Sequence, residues 1–154
     1  MKIIGGYQFN GLHRSLDGGQ TWESATSGLD DTGGAAAPFI TKIAKSWMRP
    51  EHLFAVGASG IWRSTNFGGS WSLSSVIASD WGPLSSFMDV RVSKADPDVV
   101  WAGSRMNDEG KICVSTDGGL NFAGTPVYSV VVMGGISGLA THPTEPNTAF
   151  VLFS

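Results

Sequence analysis

The chain has 154 residues, of which only 15% are charged, and it carries a net charge of −3 at pH 7. So slight an acidic balance leaves no electrostatic footprint for nucleic acid or an anionic membrane surface. The longest apolar run, residues 149–153, is far too short to span a bilayer. Glycine is abundant at 21 residues and tryptophan generous at 6, which suits a single domain of short strands and tight turns. Residues 1–4 open like a signal peptide, but Gly5-Gly6-Tyr7-Gln8 ends the stretch before a usable apolar region forms. The single cysteine, Cys113, excludes an internal disulfide and reads as a small buried hydrophobe on a strand.

In chain order, strands are predicted over 3–6 and 12–14, followed by the turn Ser15-Leu16-Asp17-Gly18-Gly19-Gln20-Thr21-Trp22 and a strand beginning at Trp22. The next group has strands over 40–44, 53–57 and 61–63, then the turn Ser64-Thr65-Asn66-Phe67-Gly68-Gly69-Ser70-Trp71 and a strand from Trp71. A third group follows over 88–92, 99–103 and 112–114, with the turn Ser115-Thr116-Asp117-Gly118-Gly119-Leu120-Asn121-Phe122 and a strand from Phe122. The last strands are expected over 136–140 and 149–153. A proline turn separates the first two strands of each later group, at Pro50, Pro97 and Pro146. The runs are apolar with little alternation, as expected for strands covered on both faces.

The eight-residue turn occurs three times at a spacing near 50 residues, the range of propeller blades. Each copy has Ser, then Asp or Asn two places on, Gly four places on and a large aromatic seven places on: Ser15, Asp17, Gly19, Trp22; Ser64, Asn66, Gly68, Trp71; Ser115, Asp117, Gly119, Phe122. The Asp or Asn accepts backbone N–H groups just ahead and closes the turn. The Gly supplies positive φ, and the aromatic opens the returning strand with a large buried area. These positions are therefore read as architecture, not chemistry. The three rings are expected to be buried equivalents, each packed on its own blade.

The octapeptide resembles the Asp-box, or bacterial neuraminidase repeat. That repeat recurs in β-propellers such as sialidases, oligoxyloglucan-hydrolysing glycoside hydrolases, sortilin-type receptors and a photosystem assembly factor. The resemblance implies an all-β fold, a propeller segment of about three four-stranded antiparallel blades. We label the strands of a blade A to D from the channel outwards. Residues 1–28 then form a partial blade, 38–78 and 85–127 complete blades, and 136–154 the start of the next. Propellers typically close with about four to eight blades, so the segment is expected to belong to a longer chain that supplies the remaining ones. The apolar edge at 149–153 is expected to template association. Val90 and Val92 are expected to be more buried than their equivalents Leu139 and Thr141. The wording of the repeats is most similar to that of large secreted bacterial proteins, which implies a secreted or cell-surface setting.

Antiparallel meanders put the Asp-boxes and the proline turns on one face. The opposite face is built from loops 25–39, 76–87 and 124–135 with 7–11, 57–60 and 104–111, and this is where the hydrolases of the family bind ligands. Its loops carry Asp30, Asp31, Asp80, Trp81, Arg105, Asn107, Asp108 and Glu109. An exposed Trp81 beside Asp80 would suit a sugar, with the ring under a pyranose and the carboxylates on its hydroxyls; otherwise Trp81 packs a blade and the acids are solvated. On the A strands, Lys42, Asp89 and Gly138 share one ring of the channel and Ala44, Arg91 and Ala140 another. Asp89 is a candidate catalytic acid, since glycosidases need two carboxyl groups some 5–10 Å apart, but no second member is evident. The alternative is a channel ion pair of Asp89 with Lys42 or Arg91. His13, His52 and His142 form no cluster at metal-ligand spacing, and no cofactor motif appears. Tyr7 and Tyr128 lack the setting of a sialidase nucleophile. The reading is a glycan- or protein-binding module; the alternatives are part of a glycoside hydrolase, or a receptor or assembly-factor propeller.

Overall fold

The computed structural model describes residues 1–106, 110–126 and 133–154. These residues hold fifteen strands and no helix: β1 (Ile3–Tyr7), β2 (Gly11–Ser15), β3 (Glu23–Ser24), β4 (Ile43–Lys45), β5 (Leu53–Gly57), β6 (Gly60–Ser64), β7 (Ser72–Leu73), β8 (Ser75–Val76), β9 (Asp89–Val92), β10 (Val100–Gly103), β11 (Arg105–Met106), β12 (Cys113–Ser115), β13 (Asn121–Gly124), β14 (Met133–Thr141) and β15 (Ala149–Phe153). They make four sheets, in the orders β1-β2-β3, β4-β5-β6-β7, β8-β13-β12-β10-β9 and β11-β14-β15. We refer to these sheets as blades 1 to 4. Blades 2 and 3 contain the expected A-B-C-D meander, at β4–β7 and at β9, β10, β12 and β13. Two strands were not expected. β8 pairs in parallel with β13, which ties blade 2 to blade 3, and β11 pairs with β14, which ties blade 3 to blade 4.

The Asp-box turns share one hydrogen-bond scheme. Ser15 Oγ accepts the N–H of Gly19 at 2.7 Å, and Ser64 and Ser115 do the same for Gly68 and Gly119 at 2.9 Å. The same hydroxyls donate to Asp17, Asn66 and Asp117 at 2.8, 3.0 and 2.8 Å. Each Asp or Asn Oδ1 then accepts the N–H four places on, from Thr21, Ser70 or Asn121, at 3.0, 2.9 and 3.0 Å. The side chain at that place completes the turn. Thr21 and Asn121 donate to carboxylate oxygens, whereas the Asn66 amide donates to the Ser70 hydroxyl. This explains why the position varies among Thr, Ser and Asn. The glycine of the motif answers two constraints at once: Gly119 has φ +81°, and a Cβ there would overlap the Phe54 ring of the preceding blade. The turn before it tolerates one departure, Phe67 at φ 56°, whose buried ring packs between blades 1 and 2.

The core is divided into three clusters, one at each junction between blades. Leu12, Ala25 and Leu29 of blade 1 meet Leu53, Ala55, Trp62 and Trp71 of blade 2. Phe54, Val56 and Ile61 meet Val90, Val100, Ala102, Cys113 and Phe122 of blade 3. Ile112 and Trp101 meet Ile136, Leu139, Val151 and Phe153 of blade 4. Along β5 and β10, successive residues therefore face the blade before and the blade after. The A–B turns stay together with the Asp-boxes, as predicted: Phe67 N–H donates to Glu51 O at 2.9 Å and Gly118 N–H to Asp98 O at 2.9 Å. Arginines on the C strands cross to the next Asp-box, Arg14 to Asn66 O at 3.0 Å and Arg63 to Gly118 O at 2.8 Å.

Two packing expectations fail for one reason. Trp71 and Phe122 are each 5% exposed, but Trp22 is 51% exposed. The Asp-box ring packs on the preceding blade rather than on its own: Trp71 Nε1–H donates to Ala25 O of blade 1 at 2.7 Å. Trp22 occupies the same turn, with the same bonds, on the face of blade 1 turned away from blade 2. Likewise Leu139 and Thr141 are 5% and 7% exposed, scarcely different from Val90 and Val92 at 0% and 8%. These positions face the preceding blade and are covered by it. The exposed apolar residues of blade 4 are Phe150 and Leu152, which face the other way.

The turn scheme gives a pH dependence. Hydrogen bonds from Asn121 and Ser115, with the Leu120 N–H, hold the Asp117 carboxyl at about 2, against an ordinary 3.8. The unfolded chain therefore takes up this proton first as the pH falls. The stabilisation is complete above the ordinary value and is lost as the pH drops through the folded one. Asp117→Ala is expected to lower stability by about 1 kcal/mol at neutral pH, as for other side-chain caps, and to make the melting temperature less sensitive to pH between about 4 and 2. Thermal melts across that range check both effects.

Candidate functional site

The loop face opposite the Asp-boxes is dominated by two buried carboxylates, Asp31 and Asp80. They lie 49 residues apart, the period of the repeat, in the D–A loops that follow blades 1 and 2. Asp31 reaches into blade 2, where Oδ2 accepts from Trp62 Nε1–H at 2.8 Å and Ser59 N–H at 2.7 Å, and Oδ1 accepts from Ser59 Oγ at 2.8 Å. The Asn10 amide closes the same corner, donating to Asp31 O and Val56 O at 3.0 Å. Asp80 reaches into blade 3, with an ion pair to Lys111 Nζ at 2.6 Å and a bond from Gly124 N–H at 3.2 Å. Both acids fasten the next blade. The role of Asp31 was missed in the sequence, although its repetition as Asp80 was the signal.

Trp81 corrects the sugar-platform reading. Its ring is buried among Phe54, Val56 and Met88, and its Nε1–H donates to Gly57 O at 2.9 Å. A ring so enclosed offers no face to a pyranose, because a D–A loop packed between two blades must cover apolar surface. Asp80 is correspondingly withdrawn from solvent by Lys111. Cys113 lies beneath it, and burial first, then the Asp80 charge, pushes the thiol up to about 12. Arg105 is half-buried on β11, at the edge of blade 4. Asn107, Asp108, Glu109 and Tyr128 lie outside the described residues.

In the channel, Asp89 and Arg91 stand two places apart on the face of β9 turned towards blade 4. They form an ion pair at 2.9 Å, with the Asp89 side chain 4% and the Arg91 side chain 40% exposed. Arg91 Nε–H donates to Leu139 O of blade 4 at 3.0 Å and Nη1–H to Val90 O at 3.0 Å. Burial raises the Asp89 carboxyl above its ordinary value, and Arg91, the Val90 N–H and Lys42 pull it back. The channel ion pair of the sequence reading thus forms with Arg91. Asp80 and Asp89 are held by different partners, Lys111 and Arg91. The histidines serve elsewhere. His142 Nδ1 accepts the N–H groups of Thr144 and Glu145 at 3.3 and 3.0 Å and caps an A–B turn, as Ser46 Oγ does for Arg49 N–H. His13 stacks on Tyr7 at 6.0 Å. Among the described residues, no group of three metal-binding side chains comes together.

Asp31→Ala would leave the Trp62 and Ser59 N–H donors buried without a partner, and it is expected to cost about 2–3 kcal/mol. Urea denaturation checks the loss.

No protein-family profile matches the chain, and no curated protein does. Solved structures do resemble it. An ancestral GH74 enzyme aligns over 99% of this chain and 20% of its own, with a TM-score of 0.68 and 21% identity. The GH74 enzyme of Niastella koreensis aligns over 99% of this chain and 25% of its own, with a TM-score of 0.68 and 14% identity. YCF48 bound to D1 peptide aligns over 84% of this chain and 37% of its own, with a TM-score of 0.56 and 20% identity. The chain therefore spans between a fifth and two fifths of the structures it resembles. At these identities the likeness speaks for the fold alone, and that fold is the β-propeller.

Proposed function

We propose that these blades belong to a propeller that binds a glycan or protein ligand and that they carry no hydrolytic centre of their own. The observation behind this reading is the fate of the buried carboxylates. Glycoside hydrolysis needs one carboxyl group to deliver a proton and a second, roughly 5–10 Å away, to act as base or nucleophile. Asp31 gives both oxygens to Ser59 and Trp62, and Asp80 gives its own to Lys111 and Gly124. Asp89, neutralised by Arg91, remains as the single channel acid among the described residues. A propeller of this kind fits a secreted or surface protein in which further blades complete the ring.

A second reading is supported by the likeness to GH74 enzymes and by the raised proton affinity of Asp89. On it, Asp89 serves a glycoside hydrolase whose partner acid lies on another blade. A receptor or assembly role is the third, supported by the likeness to YCF48 bound to D1 peptide. A reducing-sugar assay on xyloglucan oligosaccharides separates the hydrolase from the others, and a glycan array run beside a peptide array separates those. The proposal expects ligand retention on one of the arrays with no release of reducing ends. Sugar release that Asp89→Asn abolishes would establish the hydrolase reading instead.

A further inference from the structure

The channel has a second end, at the A–B turns and on the same side as the Asp-boxes. There the A strands of blades 2, 3 and 4 enclose a cleft of about 310 Å³. Its charged lining is wholly cationic: Lys45, Arg91 and Lys94. The carboxylates of the neighbouring turns lie outside this lining, and Glu145 of blade 4 stands exposed beyond it. Arg49 holds Asp98, Lys2 holds Glu51, and Asp96 accepts the Asp98 N–H of its own turn. Only Arg91 has its charge offset, by Asp89 behind it. Lys45 and Lys94 stand exposed at the mouth with no acid in the lining to answer them.

Trp47 marks the same mouth and is 73% exposed, unusual for so large a ring. The Lys45 ammonium lies 4.3 Å from its centroid, so one face of the ring holds a cation in place at the mouth. The floor of the cleft holds Ile43, Ala44, Val92 and Leu139, and the hydroxyl of its one polar member, Thr141, is already given to Val92 O at 3.4 Å. A cationic rim over an aliphatic floor matches a carboxylate carried next to hydrocarbon. An Asp or Glu side chain, or a chain terminus, on a peptide has that form, whereas a uronic acid ring brings hydroxyl groups that the floor cannot satisfy.

We propose that this cleft at the Asp-box end of the channel binds an acidic peptide segment through Lys45 and Lys94, with Arg91 deeper in. The proposal rests on the binding-module reading and assigns its ligand class and its place, on the opposite end of the channel from the loop face. Rim charges of this kind set encounter and specificity and are weakened by salt.

The test is fluorescence anisotropy of a labelled hexaglutamate peptide with the whole chain, against hexaglutamine and against polygalacturonate as an acidic polysaccharide. The expected result is binding of hexaglutamate alone, weakened roughly tenfold or more by the double variant Lys45→Glu/Lys94→Glu and by raising the salt to about 1 M. Lys94→Ser, a single change at an exposed site, is expected to give a smaller loss and guards against a folding defect in the double variant. Equal binding of hexaglutamate and hexaglutamine, no binding, or equal affinity in wild type and variants would overturn the proposal. Preference for polygalacturonate would overturn the choice of peptide. Array ligands retained equally by wild type and the double variant would leave the binding-module reading standing and remove this cleft from it.

Discussion

A sheet of short strands has two faces to cover, and in this chain each is covered only by the neighbouring blade. That constraint accounts for the division of the core into three junction clusters. It accounts for B strands that are apolar at every position, since successive side chains face different blades. It also accounts for the direction in which the Asp-box ring points. The octapeptide is a locally closed turn, but its aromatic works across a junction: Trp71 reaches the Ala25 carbonyl of blade 1, and Phe122 lies against blade 2. The arginines of β2 and β6 reinforce the same junctions on the Asp-box face, while Asp31 and Asp80 do so on the loop face.

Function is shaped by this use of polar residues. Asp31 and Asp80, the buried acids described on the loop face, are occupied in fastening blades, and Trp81 is enclosed by the apolar surface it covers. The channel differs, because its A strands meet no blade on their inner side. Asp89 and Arg91 face each other there, and the lysines beyond them reach solvent. Charged groups of three A strands therefore collect along the axis, where the proposed binding cleft lies.

Much of the fold was legible because it is periodic. The spacing of the turns, the proline turns and the B strands identified blades, and β5 and β15 fall on the predicted residues. Less legible were contacts that depend on which blade lies on which side. Nothing local distinguishes Trp22 from Trp71, as both close identical turns, yet one is open and the other buried. The A strand of blade 2 begins at Ile43 rather than at residue 40, because the preceding loop is held by cross-loop bonds such as Thr41 Oγ1 with Asn10 N–H and Tyr7 O. The site was harder still. A Trp beside an Asp suggests sugar chemistry in isolation, but the repetition of that Asp at the blade period points to structure. The cationic mouth was not anticipated, because Lys45, Arg91 and Lys94 are scattered in sequence and meet only when three A strands line one channel.

The central claim is that Asp-box rings stabilise junctions rather than their own turns. The direct measurement compares Trp71→Ala with Trp22→Ala by urea denaturation. The account predicts a loss of about 3–5 kcal/mol for Trp71, as for other large core truncations, and a much smaller one for Trp22, whose turn is the same but whose ring is half exposed. Equal losses at the two sites would contradict it and return the ring to a role within its own blade.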